Sequence, residues 1–178
     1  VLFQQNCTGC HGTTGDGAGD AQAFLKPAAA NLVSRFISPS EAYSILNRGV
    51  LGSSMPSFRE MPERDLWAIA AFVSKLGEET KAHELKTLDT TRAARGAPIY
   101  QASCSVCHGA QGAGDGPGAL GMNPRPKDFT RRVFDQEYLQ QILQNGIAGS
   151  TMPPFPQLDQ EQVKDLSHYL TSLYQEGL

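Results

Sequence analysis

The sequence has no run of about 18 consecutive apolar residues, the length a helix needs to cross a bilayer, so no membrane span is expected in this chain. It also has no visible secretory signal. Basic residues are outnumbered by acidic ones, 15 to 18, for a formal net charge of −3. Residues 1–80 carry 6 Lys/Arg against 8 Asp/Glu, and residues 93–178 carry the same balance. The chain therefore lacks the basic patch that nucleic acid requires, and nucleic acid is excluded as a partner.

Long stretches that alternate apolar and polar residues, which would indicate β-strands, are also lacking. Apolar residues recur instead at helical spacing, as through residues 62–76 and 159–174. Shorter helices are predicted at 38–47, where Ser-Pro-Ser-Glu forms a capping box, and at 135–145. The expected fold class is all-α.

Cysteine is scarce but regularly placed. The four cysteines form two Cys-x-x-Cys pairs, each followed directly by histidine, at residues 7–11 and 104–108. Adding 97 to positions in the first half reproduces the second half, and Met55-Pro56 falls on Met152-Pro153. Two generic helical domains would not need identical Cys, His and Met separations. The chain is therefore predicted to be an internal duplication.

The duplication divides the chain into a first domain at 1–80, a polar linker at 81–92 and a second domain at 93–178. Val1–Phe3 fall on Pro98–Tyr100, whereas the equivalent helix of the second half is expected to begin several residues earlier. The first half is therefore expected to lack the start of its first helix. A signal peptide, a membrane anchor or another domain is expected upstream.

Cys-x-x-Cys-His is the motif of c-type haem attachment. The segment leads out of a helix, so the two thiols can reach the two vinyl groups on one edge of a porphyrin while the adjacent imidazole ligates the iron. Two covalently bound haem c groups are therefore predicted. The attachment residues are Cys7, Cys10, Cys104 and Cys107, and the iron ligands are His11 and His108. Structural zinc is disfavoured because each half offers three ligands rather than four, and a redox dithiol is disfavoured because the βαβ context is missing.

Each half also has one methionine that stands 44 residues after its histidine, Met55 in the first and Met152 in the second. Both lie in a Gly-x-x-Met-Pro loop, and methionine sulfur is an established axial ligand of c-type haem iron. Met61 and Met122 have no counterpart at the 97-residue offset and are interpreted as packing residues. With histidine and methionine on its two faces, neither iron keeps an open position, which favours electron transfer over catalysis at the iron.

Pro27 and Pro124 each stand 16 residues after the histidine of their half. A backbone carbonyl at this point could accept the Nδ1–H of the imidazole and orient the ring. The alternative is an ordinary loop proline, and the neighbouring Pro126 makes the choice in the second half less distinct.

A small basic cluster in the second half could offset a haem propionate or meet an acidic partner, but a solvated face is the favoured interpretation. The cluster consists of Arg125, Lys127, Arg131 and Arg132. His83 and His168 are likewise interpreted as solvated.

These motifs, together with the final helices that contain Leu66–Phe72 and Val163–Tyr169, resemble tandem class I cytochrome c domains. Examples are the dihaem cytochromes of the c4 type and the dihaem subunit of cbb3-type oxidases. The resemblance implies two small helical domains, each wrapped around a haem. It also implies redox protein partners, a donor and an acceptor complex, and a location in the periplasm or on the extracytoplasmic face of a membrane.

Three functions stay open at this point. The first is an electron carrier that moves electrons through two His/Met-ligated haems. The second is an electron-transfer subunit, or an excised domain, of a larger respiratory oxidoreductase. The third is a dihaem peroxidase, which the matched Met55 and Met152 disfavour because that chemistry needs a vacant iron position. The first two are not enzymes in their own right, and no catalytic residue is assigned.

Overall fold

The computed structural model of the protein describes residues 1–175. Helices dominate this part of the chain. In chain order they are α1 Leu2–Asn6, α2 Thr8–His11, α3 Pro39–Arg48, α4 Glu63–Leu76, α5 Glu78–Lys86, α6 Thr90–Ser103, α7 Ser105–His108, α8 Gln136–Asn145 and α9 Gln160–Ser172. Two short strands, β1 Arg35–Ile37 and β2 Arg132–Phe134, and three turns of 3-10 helix complete the described elements. The all-α class is thereby confirmed.

The four longer helices predicted from periodicity are present, with ends set by local chemistry. Helix α3 begins after Ser38, whose side chain accepts a hydrogen bond from the Glu41 backbone N–H at 3.4 Å. It ends at Gly49, whose φ of 70° is readily adopted only by glycine. Helix α9 begins with a full capping box between Asp159 and Gln162.

The segment predicted as a polar linker is partly helical, because α5 runs through its first half. Helix α5 packs on the strands: the Thr80 hydroxyl donates to the Val33 carbonyl at 2.8 Å. The Lys81 ammonium lies 4.4 Å from the centre of the Phe36 ring. The segment is therefore polar but not uniformly exposed, since the Lys81 side chain is 15% exposed and Glu84 is 7% exposed.

Each half buries its own apolar core, to which the helix before Cys-x-x-Cys-His, the middle helix α3 or α8 and the helix α4 or α9 contribute. In the first half Phe3, Leu46 and Ile69 belong to one cluster of buried side chains. In the second half Tyr100, Leu143 and Leu166 belong to another. These residues correspond at the 97-residue offset, so the duplication extends to the cores.

The strands were not expected from the sequence, and they join the two halves. They pair antiparallel, with Arg35 opposite Phe134, Phe36 opposite Val133 and Ile37 opposite Arg132. Adding 97 converts the β1 residues into the β2 residues, so exchanging the halves leaves the register unchanged. The two halves are therefore related by an approximate twofold axis that passes between Phe36 and Val133.

Hydrogen bonds flanking the strands obey the same symmetry. The Ser38 N–H donates to the Arg131 carbonyl at 3.2 Å, and the Asp135 N–H donates to the Ser34 carbonyl at 3.0 Å. Each bond becomes the other when the halves are exchanged, because 34 and 131, like 38 and 135, are 97 apart.

The methionine loops also cross the axis. A Cβ on Gly52 would lie 2.5 Å from the carbonyl carbon of Asn123, and one on Gly149 would lie 3.0 Å from that of Lys26. The loop of each half therefore packs closely on the segment that precedes the predicted site proline of the other half, and glycine is needed for that approach.

Candidate haem sites

The Cys-x-x-Cys-His segments have the same backbone geometry in both halves. A helix ends at the first cysteine, and a one-turn helix then carries the second cysteine and the histidine. The Cys7 N–H donates to the Phe3 carbonyl and the His11 N–H to the Cys7 carbonyl, both at 2.9 Å. At the matching positions, 104 and 108, the distances are 2.8 and 2.9 Å. None of the four cysteines, all within the described residues, forms a disulfide.

The two histidines are oriented by backbone carbonyls. His11 Nδ1 lies 3.0 Å from the Ala30 carbonyl oxygen, and His108 Nδ1 lies 3.1 Å from that of Lys127. A carbonyl can only accept, so the proton is on Nδ1 and the Nε2 lone pair is left for a metal. Burial lowers the pKa of both imidazoles, which keeps them in the neutral form that ligates.

The accepting carbonyls lie three residues beyond the prolines that were expected near this contact. Ala30 and Lys127 are themselves 97 apart, so the duplication preserves the acceptor position while changing its side chain. Pro27 and Pro124 line the same cavity as the two histidines, each following a cis peptide bond. Each histidine therefore has a backbone carbonyl partner, and this carbonyl belongs to Ala30 or Lys127 rather than to the proline.

The two methionine loops are fixed by matching hydrogen bonds. The Met55 N–H donates to Ser53 Oγ and the Met152 N–H to Ser150 Oγ, both at 3.1 Å. The Met55 carbonyl accepts from Val50 N–H at 3.1 Å, and its counterpart in the second half has the same distance. Both methionine side chains are half-buried in a fixed turn.

All ten predicted site residues lie on one cavity of about 1100 Å³. Its walls come from both halves and are mainly apolar, so the two clefts open into each other across the pseudo-twofold axis. The ten are Cys7, Cys10, His11, Pro27, Met55, Cys104, Cys107, His108, Pro124 and Met152. Free thiols, a neutral imidazole and a methionine in one apolar cleft are the donor set that a covalently attached haem requires.

Met61 and Met122 differ in their surroundings. Met61 packs on the first core. Met122 lines the shared cavity, and its sulfur accepts from the Thr151 hydroxyl at 3.3 Å. Met122 thus contacts Thr151, the residue before Met152. It is a packing residue that lies close to the site.

The basic cluster is not the solvated face that was favoured. Arg125 is exposed and Arg131 is half-buried, but Arg132 is 3% exposed. Burial, with Arg132 and Arg35 nearby, lowers the pKa of Lys127 to about 7. Arg35, which the sequence reasoning missed, is 5% exposed and lines the same cavity. The signal that could have found it is the offset itself, because 35 and 132 are 97 apart.

The two other histidines differ in their exposure to solvent. His83 is exposed beside Glu84, at 3.2 Å, as expected. His168 is half-buried, and its Nδ1 accepts from the Asp89 backbone N–H at 3.2 Å. It joins the start of α6 to α9, so the expectation that it is solvated was wrong.

The helical halves, their paired histidine and methionine sites and the shared cavity define tandem class I cytochrome c domains. The family described as "Cytochrome C oxidase, cbb3-type, subunit III" matches residues 1–73 and 91–170. The chain belongs to this family. Two covalently bound haem c groups and a role in electron transport follow from that membership.

Curated relatives give the same result at low identity. A "Cbb3-type cytochrome c oxidase subunit CcoP" from Azospirillum brasilense is 25% identical over 183 residues, covering 96% of this chain and 59% of its own length. A "Cbb3-type cytochrome c oxidase subunit FixP" from Azorhizobium caulinodans is 27% identical, covering 97% of this chain and 58% of its own length. A "Cytochrome c-553-like" protein from Synechocystis sp. is 34% identical over 82 residues, 44% of this chain and 67% of that protein.

The chain spans a little under 60% of the length of the two cbb3-type relatives it matches. Among residues 1–175, no helix combines the length and the apolar character needed to cross a bilayer.

Proposed function

We propose that the chain relays electrons between a donor and an acceptor protein through two haems that are each ligated by histidine and methionine. Cys7 and Cys10 would attach the first haem, with His11 and Met55 as its axial ligands. The second would be held in the same way by the residues 97 positions later, Cys104, Cys107, His108 and Met152. The bound haem supplies the one-electron chemistry, and the protein supplies both axial ligands and a mainly apolar cleft.

One observation carries this proposal: in each half an oriented histidine and a fixed methionine loop line the same cavity, and the two sets correspond residue by residue. Two protein ligands leave no iron position for substrate. The chain itself would then perform no catalysis, and Pro27 and Pro124 would contribute only to the cavity walls.

The physiological setting is part of the same proposal. The relatives CcoP and FixP are named as subunits of cbb3-type cytochrome c oxidases. This chain would act in the same way, on the extracytoplasmic side of a membrane, as a donor-side subunit of a larger respiratory oxidoreductase. A stoichiometric complex that survives gentle purification would support the subunit role, whereas purification as a free dihaem protein would support the independent carrier.

Carbon monoxide tests the closed iron positions. It binds ferrous haem only where an axial position is vacant or its ligand is displaced. We expect the optical spectrum of the fully reduced protein to be unchanged by saturating carbon monoxide at neutral pH. A carbon monoxide adduct at either haem would contradict the proposal and would favour a peroxidase-like site at that iron.

A further inference from the structure

Three cationic side chains, two of them buried and one half-buried, lie where the two halves meet. Arg35 and Arg132, which occupy equivalent positions in the two halves, are 5% and 3% exposed. Both line the shared cavity, as does Lys127, whose backbone carbonyl holds His108. We name Arg35, Lys127 and Arg132 the junction cations.

The hydrogen-bond partners of the two arginines cross the pseudo-twofold axis. The Arg35 guanidinium bonds to the Tyr138 hydroxyl and lies 4.3 Å from the centre of that ring. Arg132 donates to Glu41 Oε1 at 2.7 Å. Positions 41 and 138 are again 97 apart, so each arginine reaches the same position in the opposite half.

The charges of this cluster do not balance. Arg35 also donates from Nε to the Asn31 carbonyl at 2.6 Å, but its side-chain partner Tyr138 is neutral. Arg132 Nε is a buried donor with no partner among the described residues. Glu41 forms an ion pair with Arg132, whereas Arg35 and Lys127 have no ion-pair partner among the described residues, so cationic groups outnumber paired carboxylates in this part of a mainly apolar cavity. Buried charges and buried donors are normally compensated, so this cavity is built for an anion.

We propose that the junction cations bind propionate carboxylates of both haems, and that Lys127 and Glu41 make the two haems electrostatically unequal. The inference rests on the proposed dihaem function and adds to it which residues set the potentials. Carboxylates match the planar, bidentate donors of arginine, and a haem attached in this cavity brings its own. Lys127 replaces Ala30 of the first half, and Glu41 replaces Tyr138 of the second, so the site is symmetric in its arginines and asymmetric in its remaining charge.

The direction of each effect follows from charge. A positive charge near a haem favours the reduced iron, because reduction removes one unit of positive charge from the metal. Lys127 is held next to His108, so it raises the potential of the second haem more than that of the first. Glu41 carries a negative charge next to Arg132. It therefore lowers the potential of any haem whose propionate binds Arg132.

The test is a redox titration of the holoprotein with Lys127→Met, which keeps the backbone carbonyl and the side-chain length but removes the charge. The reduction potential of the haem ligated by His108 should fall by at least about 28 mV. For a one-electron couple, with 59 mV per tenfold, this corresponds to about a threefold change in the oxidation equilibrium. Lys127→Arg should restore the wild-type value. The matched control is Lys164→Met, which removes the same charge from a side chain that is 41% exposed in the same half.

Salt separates the two variants further, because buried charges are screened much less than exposed ones. The Lys127→Met shift should persist at 1 M salt, whereas any shift of the control should disappear. The redox-difference infrared spectrum should also change in the carboxylate region for Lys127→Met and not for Lys164→Met. Equal shifts for the two lysine variants, or an unchanged carboxylate region, would overturn the inference.

A second variant keeps the test decisive if Lys127→Met fails to load haem. Glu41→Gln should raise at least one potential, because it removes the carboxylate that pairs with Arg132. A lowered or unchanged pair of potentials in Glu41→Gln would also overturn the inference. Failure of the underlying dihaem function is distinct, because the wild-type protein would then lack two reversible one-electron transitions.

Discussion

Replacing Met55 with Ala should remove about half of the sulfur-to-iron charge-transfer absorption of the oxidised protein and make one of the two haems high-spin. The same result is expected for Met152→Ala at the other haem, because the two loops have matching hydrogen bonds and line the same cavity. Each variant should gain reaction with carbon monoxide at one iron per chain. Near-infrared absorption of the ferric protein measures the charge-transfer intensity, and electron paramagnetic resonance measures the spin state. The optical spectrum of the reduced protein measures the carbon monoxide adduct.

The chain supplies its own controls for this pair. Met61 and Met122 are partly buried methionines near the same cores or cavity walls, but neither has a counterpart at the 97-residue offset. Met61→Ala and Met122→Ala should keep both charge-transfer contributions. Loss of the absorption in either control, or its full retention in Met55→Ala, would show that the ligands have been assigned to the wrong methionines.

Replacing both Cys7 and Cys10 with Ala should lower the covalently bound haem from two per chain to one. Without the thioether bonds, the haem of the first half is held only by axial ligands and contacts and should be lost under denaturing conditions. Haem content per polypeptide, measured as the pyridine haemochrome after denaturation, gives the number directly.

The matched variant carries the same change in the second half, at Cys104 and Cys107. It should also retain one haem, attached to Cys7 and Cys10. Mass spectrometry of proteolytic fragments then locates the remaining haem in each case. Two haems in either double variant would contradict attachment through these thiols, and none would show that the halves cannot load independently.

The candidate haem-binding residues could be picked out from the sequence because they are local and repeated. Cys-x-x-Cys-His is contiguous, and Met55 was singled out among four methionines by its partner at the 97-residue offset. All ten predicted residues line one cavity. Helix positions were predictable for the same reason, since their apolar spacing and N-terminal caps lie within a few turns of chain.

The remaining features depend on contacts between distant segments. Strands of three residues, such as Arg35–Ile37, are too short to show a recognisable alternation of apolar and polar residues. The acceptor for His11 is a backbone carbonyl, at Ala30, which has no side-chain signature. Arg132 looked solvated because it lies in a run of basic residues, yet Glu41, 91 residues away, is its partner.

The pseudo-twofold register was nevertheless implicit in the duplication. Two copies of one domain that associate isologously must bring equivalent residues to the axis. The pairing of Phe36 with Val133 and the reciprocal contacts of Arg35 and Arg132 follow this rule. Residues 97 positions apart therefore indicate the junction as well as the two sites. The cysteine pairs mark the sites, and the matching arginines and glycines mark the junction.

A redox-titrated optical spectrum of the unmodified protein, extended into the near infrared, shows whether both irons have histidine and methionine ligands. We expect two haems per chain, two one-electron transitions and a sulfur-to-iron charge-transfer intensity that corresponds to two irons in the ferric state. Half of that intensity, or a high-spin component in the resting ferric protein, would show that Met55 or Met152 is not bound. That result would contradict a relay with two closed irons.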